Sequence, residues 1–199
     1  MTIAIIDTGC ANLFSVQAAL DRLGLAHILA GTPAKAVEAD RLVLPGVGAA
    51  GPAMERLKKS GWAGALKSET RPVLGICLGM QLLFERSAEG DVDCLGLVPG
   101  RIAPLPRFAG GVLPPMGWNA LDVEADADPL LDGVLPGSRV YFVHSYAAAI
   151  GEITVASCVY GTRFSAIIRS GNVMGCQFHP ERSGEVGMRI LKNFSRYCE

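Results

Sequence analysis

The first half of the chain alternates short apolar runs with longer stretches whose apolar residues recur every three or four positions. A short uninterrupted apolar run is typical of a parallel strand buried on both faces, and the longer period is that of an amphipathic helix. Strands alternating with helices predict an open, mostly parallel sheet joined by right-handed crossovers. The predicted strands are Thr2–Asp7, Ala26–Ala30, Arg41–Leu44 and Pro72–Ile76. The predicted helices are one whose apolar face is formed by Leu13, Val16, Leu20 and Leu23, a short helix or turn at Pro33–Asp40, the stretches Pro52–Ser60 and Trp62–Ser68, and a helix that begins at Leu78.

The second half changes to short strands separated by glycine and proline, from about Asp91 to Arg169. Proline is confined to edges and loops of sheets, so this pattern predicts antiparallel strands added to the same sheet, not a separate domain. The fold class is therefore α/β, an open mixed sheet in one domain over residues 1–199. The predicted strands are Gly100–Leu105, Val112–Trp118, Val140–Ser145, Thr154–Tyr160, Phe164–Arg169 and Asn172–Phe178, and Met188, Ile190, Leu191 and Phe194 mark a last helix capped near Ser183.

Composition excludes several classes of function. The formal net charge is −1, which gives no electrostatic basis for binding nucleic acid. No apolar run approaches the roughly 18 residues of a membrane span, and the start of the chain lacks the basic leader of a signal peptide. The six cysteines show no CxxC pairing, which argues against zinc and against a disulfide framework. We expect no metal, no cofactor and a cytoplasmic location.

The first candidate catalytic residue is Cys77, which lies in the segment Gly75-Ile76-Cys77-Leu78-Gly79 at the end of a predicted strand. A strand that turns into a helix within one or two residues strains the residue at the turn, and flanking glycines have no Cβ to clash. G-x-C-x-G is the thiol version of the nucleophile elbow. A helix N-terminus beside Cys77 would favour its thiolate. On the motif alone, a small buried cysteine remains the competing interpretation.

The chain has three histidines. His27 lies inside an early predicted strand, where a structural role is favoured, and His144 lines or supports a site, with support preferred. His179 stands at the end of an apolar strand and is followed by Pro180 and Glu181. Since side chains alternate along an extended chain, residues 179 and 181 can point the same way. Glu181 could then orient His179 toward a thiol, which is the logic of a catalytic triad.

The glycine-rich segment Pro45-Gly46-Val47-Gly48 follows the third predicted strand. Ligands of open α/β sheets bind beyond the carboxyl ends of the strands. Gly46–Gly48 and Cys77 both lie at such ends, so they can share one crevice.

Together, GICLGMQ, LPGVG and QFHPE resemble the class I glutamine amidotransferase family, over essentially the whole chain. The resemblance implies that Cys77 is the nucleophile, His179 the general base and acid, and Glu181 its orienting residue. It implies an oxyanion loop at Gly46, Val47 and Gly48 that acts with the N–H of Leu78. It also implies a glutamine site made by Gly48, Gly79, Gln81, Glu89, Ser145 and Tyr146.

Within that family, the chain resembles one branch, the glutaminase subunits of imidazole glycerol phosphate synthases of histidine biosynthesis. This resemblance rests on the valine in PGVG and on the segments DTGCANL, PMGWN, YFVHSY and QFHPERSG. That branch passes ammonia to a (β/α)₈-barrel cyclase subunit in a heterodimer. Exposed apolar residues would mark the interface with this partner. The candidates are Asn12, Phe14, Met116, Trp118 and Asn119.

Val47 replaces the second glycine that is common in the oxyanion loops of the family. A β-branched residue is reluctant to adopt a positive φ, so an amide beside it can point away from the oxyanion at rest. Our hypothesis is that the loop stays inactive until the partner is loaded with its substrate.

Several alternatives remain open on the sequence alone. A glutaminase of vitamin B6 synthesis has similar length, but a GGES-type loop is expected there. Larger relatives in anthranilate or GMP synthesis usually keep PGGP-like loops. A thiol hydrolase of the same topology and a catalytically inactive scaffold are the other candidates.

Overall fold

The computed structural model describes residues 1–9, 12–107, 116–124 and 128–197. Within them lie fourteen strands and five α-helices. The strands are β1 Thr2–Ile6, β2 Ala26–Ala30, β3 Arg41–Gly46, β4 Val73–Cys77, β5 Arg86–Ser87, β6 Val92–Asp93, β7 Arg101–Pro104, β8 Met116–Ala120, β9 Asp122–Val123, β10 Arg139–Val143, β11 Tyr146–Ala148, β12 Thr154–Tyr160, β13 Thr162–Ser170 and β14 Val173–Cys176, and the helices are α1 Leu13–Arg22, α2 Ala50–Lys59, α3 Trp62–Ala65, α4 Leu78–Leu83 and α5 Gly184–Arg196.

The central sheet has eight strands in the order β2-β1-β3-β4-β14-β13-β12-β9. The first five run parallel to one another, and the last three pair antiparallel. This confirms the predicted mixed sheet, with its parallel half built from the strands that read as continuous apolar runs.

Helices cover both faces of the parallel half, as the alternation of side chains along β1 shows. Ile3 and Ile5 are packed in one apolar cluster with residues of α1 and α5, while Ala4 and Ile6 belong to a second cluster with α2, α3 and α4. Period-two alternation on a strand buried on both sides therefore divides the core into two layers.

The prediction that all antiparallel strands of the second half join this sheet is wrong in part. Only β9, β12 and β13 do so, while β10 pairs with β8 in a two-stranded ribbon and β7 belongs to a four-stranded sheet in the order β11-β7-β5-β6. Strands of two residues such as β5 and β6 show no hydrophobic period, so sequence patterning gives no sign of this second sheet. The predicted strand Val112–Trp118 lies partly outside the described residues, whose β8 begins at Met116.

Two element ends matter for the site. Helix α4 stops at Leu83, because Phe84 is extended, although the apolar stripe continues to Phe84. Strand β10 ends at Val143, so that His144 and Ser145 lie beyond it in the loop before β11.

Strands β3, β4 and β14 are neighbours in the centre of the sheet. Their carboxyl ends carry the Gly46–Gly48 loop, Cys77 and the segment 177–181, which places all three at one edge. Within the described part of the chain, no helix has the length and apolar character to cross a membrane.

Candidate active site

Cys77 stands at the turn between β4 and α4, with φ 53° and ψ −111°. Among the described residues other than glycine, only Cys77 and Asp91 have a positive φ. A side chain is held in such a conformation only where its surroundings enforce it, and such residues cluster at functional sites. The predicted tight turn from strand to helix at Cys77 is therefore observed.

The two glycines that flank Cys77 are required by close approach of the backbone. A Cβ on Gly75 would lie 2.6 Å from the amide nitrogen of Met80, and one on Gly79 would lie 1.7 Å from the carbonyl oxygen of Leu44. Neither glycine has a positive φ. The absence of Cβ atoms lets α4 pack directly against the strands that precede it.

The glycine-rich loop lies beside the elbow because β3 and β4 pair in parallel, with Gly46 opposite Cys77. Gly48 takes the left-handed conformation, with φ 91°, whereas Val47 does not have a positive φ and is 41% exposed. The N–H of Leu78 begins α4 and has no acceptor within that helix. The loop and Leu78 thus bring backbone N–H groups to the Cys77 side of the sheet.

His179 and Glu181 form a buried pair. Nδ1 of His179 lies 2.8 Å from Oε1 of Glu181, and the two side chains are 8% and 3% exposed. The expectation that an extended backbone aligns them is wrong, because Pro180–Arg182 form a 3₁₀ turn. The turn brings the Glu181 carboxylate back to His179, so the pair forms by a different local geometry.

The backbone of His179 is fixed by its neighbours. Its N–H donates to the carbonyl of Tyr141 across 3.0 Å. Oγ of Ser183 donates to the His179 carbonyl across 2.6 Å and accepts from the N–H of Tyr141 at 2.9 Å. Ser183 was expected to cap α5 and occupies its N-cap position. Its hydroxyl makes the two hydrogen bonds to Tyr141 and His179 and does not cap the helix. Strand β10 thereby holds the histidine in place.

Electrostatics favour a charged imidazole at this position. Burial alone would lower the pKa of His179, but hydrogen bonds and the charges of Cys77 and Glu181 raise it from 6.5 to about 10. Because Glu181 engages Nδ1, Nε2 is the nitrogen left for Cys77. The arrangement places a charged imidazole beside the sulfur of Cys77.

A cavity of about 380 Å³ opens above Cys77 and His179. Five of the predicted glutamine-binding residues line it, whereas Gly79 does not and lies beneath the elbow. Val143 and His144 also line it; Val143 was not among the predicted site residues, whereas His144 was expected to line or support a site, with support preferred. The lining consists of Val47, Gly48, Cys77, Leu78, Gln81, Glu89, Val143, His144, Ser145, Tyr146 and His179.

His144 both lines the cavity and supports its wall. Burial lowers its pKa to about 4, with the charge of His179 acting in the same direction against the backbone contact to Tyr146. The neutral ring donates from Nδ1 to the carbonyl of Tyr146 at 2.9 Å and packs against Phe142 and Phe164. The loop from Val143 to Tyr146 is held by this contact.

A family model described as glutamine amidotransferase class-I matches residues 4–197 of the chain. The chain belongs to this family.

Curated relatives resemble the amidotransferase over nearly its whole length. A protein of Idiomarina loihiensis named imidazole glycerol phosphate synthase subunit HisH is 50% identical over 98% of this chain and 97% of its own length. A Vibrio cholerae protein of the same name is 46% identical over 96% of this chain and 97% of its own. A solved structure titled PurLQS from Thermotoga maritima has a TM-score of 0.73 at 21% identity, covering 100% of this chain and 99% of that one. Another, titled glutamine amidotransferase, has a TM-score of 0.76 at 18% identity, with 98% and 97% covered, and both share the fold.

The predicted partner-facing residues of the amidotransferase are exposed to different degrees. Phe14 is 78% exposed, Met116 69% and Trp118 49%. Asn12 caps α1, where its Oδ1 accepts from the N–H of Ser15. Asn119 is half-buried and donates to the Val159 carbonyl at 2.8 Å, so its side chain is already engaged within the chain.

Gln177 is a site residue that the sequence interpretation of the amidotransferase missed. It is fully buried, and its amide lies 4.0 Å from Sγ of Cys77. The only signal was its position two residues before His179 in the QFHPE motif. Across the residues that the structure describes, no group of three or more His, Cys, Asp or Glu side chains is arranged to hold a metal ion.

Proposed function

We propose that the chain is the glutaminase subunit of an imidazole glycerol phosphate synthase. It hydrolyses glutamine through a thioester on Cys77 and delivers ammonia to a (β/α)₈-barrel cyclase subunit. The assembled enzyme makes imidazole glycerol phosphate and aminoimidazole carboxamide ribotide in histidine biosynthesis. The observation that carries the proposal is the 50% identity, over nearly the full length, to a protein that bears this subunit name. That relationship favours the histidine branch over the vitamin B6 branch.

The first half of the reaction is acylation. The Cys77 thiolate attacks the carboxamide carbon of glutamine, and a C–S bond forms as the carbonyl oxygen takes the negative charge. Imidazolium His179 then donates its Nε2 proton to the departing nitrogen, the C–N bond breaks and ammonia leaves. The raised pKa of His179, about 10, supports its role as the proton donor. Glu181 keeps the ring oriented and stabilises its charge.

The second half is hydrolysis of the thioester. His179, now neutral, takes a proton from water, and the resulting hydroxide attacks the thioester carbon. The C–S bond breaks, glutamate leaves, and the thiolate–imidazolium pair is restored. In both halves, the N–H of Leu78 and one from the Gly46–Gly48 loop would hold the oxyanion, each such donor being worth roughly 10²–10³ in rate.

Glutamine must also be held by its amino-acid end. We assign Glu89 to the α-ammonium group, since its carboxylate lines the cavity while one oxygen accepts from the N–H of Ala50 at 3.1 Å. Ser145 and Tyr146 line the same wall, and Gly48 offers backbone from the opposite loop. Gln81 uses its NH₂ group within the protein, so its carbonyl oxygen is the atom left for substrate. Gly79 contributes by shaping the elbow.

Docking to the cyclase would keep the released ammonia from escaping into bulk water. Ammonia that reaches bulk water at neutral pH is mostly protonated and loses its nucleophilicity. Exposed Phe14, Met116 and Trp118 supply apolar anchors for such an interface. We assign Asn12 and Asn119 to its rim.

We place the protein in the cytoplasm. The described cysteines Cys77, Cys94, Cys158 and Cys176 are all free thiols, which is the state that a reducing compartment maintains.

The test is release of glutamate by the purified chain mixed with a barrel cyclase and the ribotide ligand of that cyclase. We expect glutamate release in the complex and its loss in Cys77→Ser, with His144, Ser145 and the rest of the cavity intact. Full release by Cys77→Ser would show that the nucleophile is wrong. No release by the wild-type complex would leave the chain as a scaffold.

A further inference from the structure

A line of hydrogen bonds connects the wall of the substrate cavity to the thiol of Cys77. Nε2 of Gln81 donates to the carbonyl of Tyr146 at 2.8 Å and to Oε1 of Gln177 at 3.0 Å. Nε2 of Gln177 lies 4.0 Å from Sγ of Cys77. Gln81 is 4% exposed and Gln177 0%, so water does not compete for these groups.

The orientation of both glutamine amide groups is fixed by the carbonyl of Tyr146. A backbone carbonyl only accepts hydrogen bonds, so the NH₂ group of Gln81 must face Tyr146. The second hydrogen of the same NH₂ group then faces Gln177, whose oxygen must accept it. The NH₂ group of Gln177 is therefore left on the side of the sulfur, and it cannot turn without losing the bond to Gln81.

The thiol also has a partner that favours its protonated form. Sγ of Cys77 donates to the carbonyl of Val143 across 3.8 Å, and this contact exists only while the proton is present. A hydrogen bond to the neutral form of an acid opposes ionisation, and one to the charged form favours it. The Val143 carbonyl and the Gln177 amide thus have opposite effects on ionisation of the Cys77 thiol.

We propose that Gln177 is a positioning residue for the nucleophile, whose amide N–H, aimed by Gln81 and the Tyr146 carbonyl, stabilises the Cys77 thiolate. The inference rests on the proposed function of Cys77. It also links the wall that is to bind glutamine with the reacting sulfur, because a shift of the Tyr146 carbonyl would release Gln81 and then Gln177.

Other titratable groups face Cys77, and the variants below leave them unchanged. His179, with Glu181 behind it, comes from the segment after β14. His144 lines the cavity from the loop after β10, Tyr146 from the start of β11, and Glu89 from the segment after β5.

The test is the pH dependence of alkylation of Cys77 by iodoacetamide in the full-length chain, resolved by peptide mass spectrometry. Two variants are compared with the wild type. Gln177→Met removes the N–H, and Gln177→Glu keeps an oxygen for Gln81 but removes the N–H. We expect alkylation of Cys77 at neutral pH to slow about tenfold in Gln177→Met, and more in Gln177→Glu, with the profile displaced to higher pH.

Three thiols serve as internal controls. Half-buried Cys94 should react at the wild-type rate, and buried Cys158 and Cys176 should stay protected, which shows that the fold is intact. In the complex with the cyclase, kcat for glutamine should fall while KM stays within about twofold, since Gln177 acts through Cys77. An unshifted alkylation profile in a folded variant, or loss of the fold in both variants, would assign Gln177 to structure alone and overturn the proposal.

The assay needs neither glutamine nor a partner. A shifted profile in a chain that does not turn over glutamine would uphold the role of Gln177 at the thiol and reject the proposed glutaminase function. Glutamate release by the wild-type complex, together with an unshifted alkylation profile in the Gln177 variants, would uphold the glutaminase function and reject the role of Gln177 at the thiol.

Discussion

A Cβ atom on Gly79 would lie 1.7 Å from the carbonyl oxygen of Leu44, so β3 and the first turn of α4 are in direct backbone contact. This contact sets the height of Cys77 above the sheet, two residues before Gly79. The chemistry proposed for Cys77 thus depends on a glycine that does not line the cavity.

Gly79→Ala should therefore destabilise the protein by about 3 kcal/mol, because neither backbone segment can move without breaking the sheet. Gly64→Ala is the matched control, since Gly64 lies in α3 with no atom within 4 Å of its Cβ position. Urea unfolding of both variants measures the difference. Similar stability of the two variants would contradict the close approach.

Glu181→Gln should lower glutaminase activity about hundredfold while leaving the fold intact, because the neutral amide no longer stabilises imidazolium His179. Since the Glu181 carboxylate helps to raise the pKa of His179 to about 10, its removal lowers that pKa. The alkaline limb of the pH–rate profile should move to lower pH. The matched control is Glu38→Gln at an exposed position before β3, which should keep the wild-type profile.

The same ion pair makes a prediction for stability. A raised pKa of His179 means that its charged form stabilises the folded state fully below pH 6.5, and that this contribution is lost as pH rises toward about 10. The difference in unfolding free energy between wild type and Glu181→Gln should accordingly shrink along that interval. A difference that grows with pH would contradict the assignment of the charge to His179.

Val47→Gly should raise the glutaminase activity of the chain without its partner, by about tenfold or more, because glycine can adopt the positive φ that valine avoids. In the structure Gly48 has φ 91° while Val47 keeps an ordinary φ. The measurement is glutamate release by the isolated chain. Activity as low as that of the wild type would count against a loop held inactive by Val47.

Much of this fold could be predicted from the sequence, for identifiable reasons. The strands of the parallel half are apolar runs buried on both faces, and the elbow at Cys77 is marked by two glycines with no room for a Cβ. The second sheet could not be predicted, because β5 and β6 are too short to show a period. The hydrogen-bonded pair of His179 and Glu181 was expected, but through an extended backbone in place of the 3₁₀ turn observed. Gln177 was missed because its role depends on the orientations of two other groups.

Trp118→Ala should weaken binding of the cyclase subunit at least tenfold, since a large half-exposed aromatic side chain is the type of residue that dominates interfaces. Its ring meets that of Tyr141 edge-on at 6.2 Å, and the guanidinium of Arg182 lies 5.1 Å from the Tyr141 ring. Trp118 therefore lies near His179, whose N–H donates to the carbonyl of Tyr141. Val37→Ala, which alters a side chain that is 69% exposed before β3, should leave the binding measured by titration calorimetry unchanged. Equal losses in both variants would reject Trp118 as an anchor.

The central claim is that glutamine acylates Cys77. Acid quenching of the cyclase complex during turnover, followed by peptide mass spectrometry, tests it directly. We predict a γ-glutamyl group on the peptide that contains Cys77. Continued release of glutamate with the γ-glutamyl group on another residue, or on none, would contradict the account.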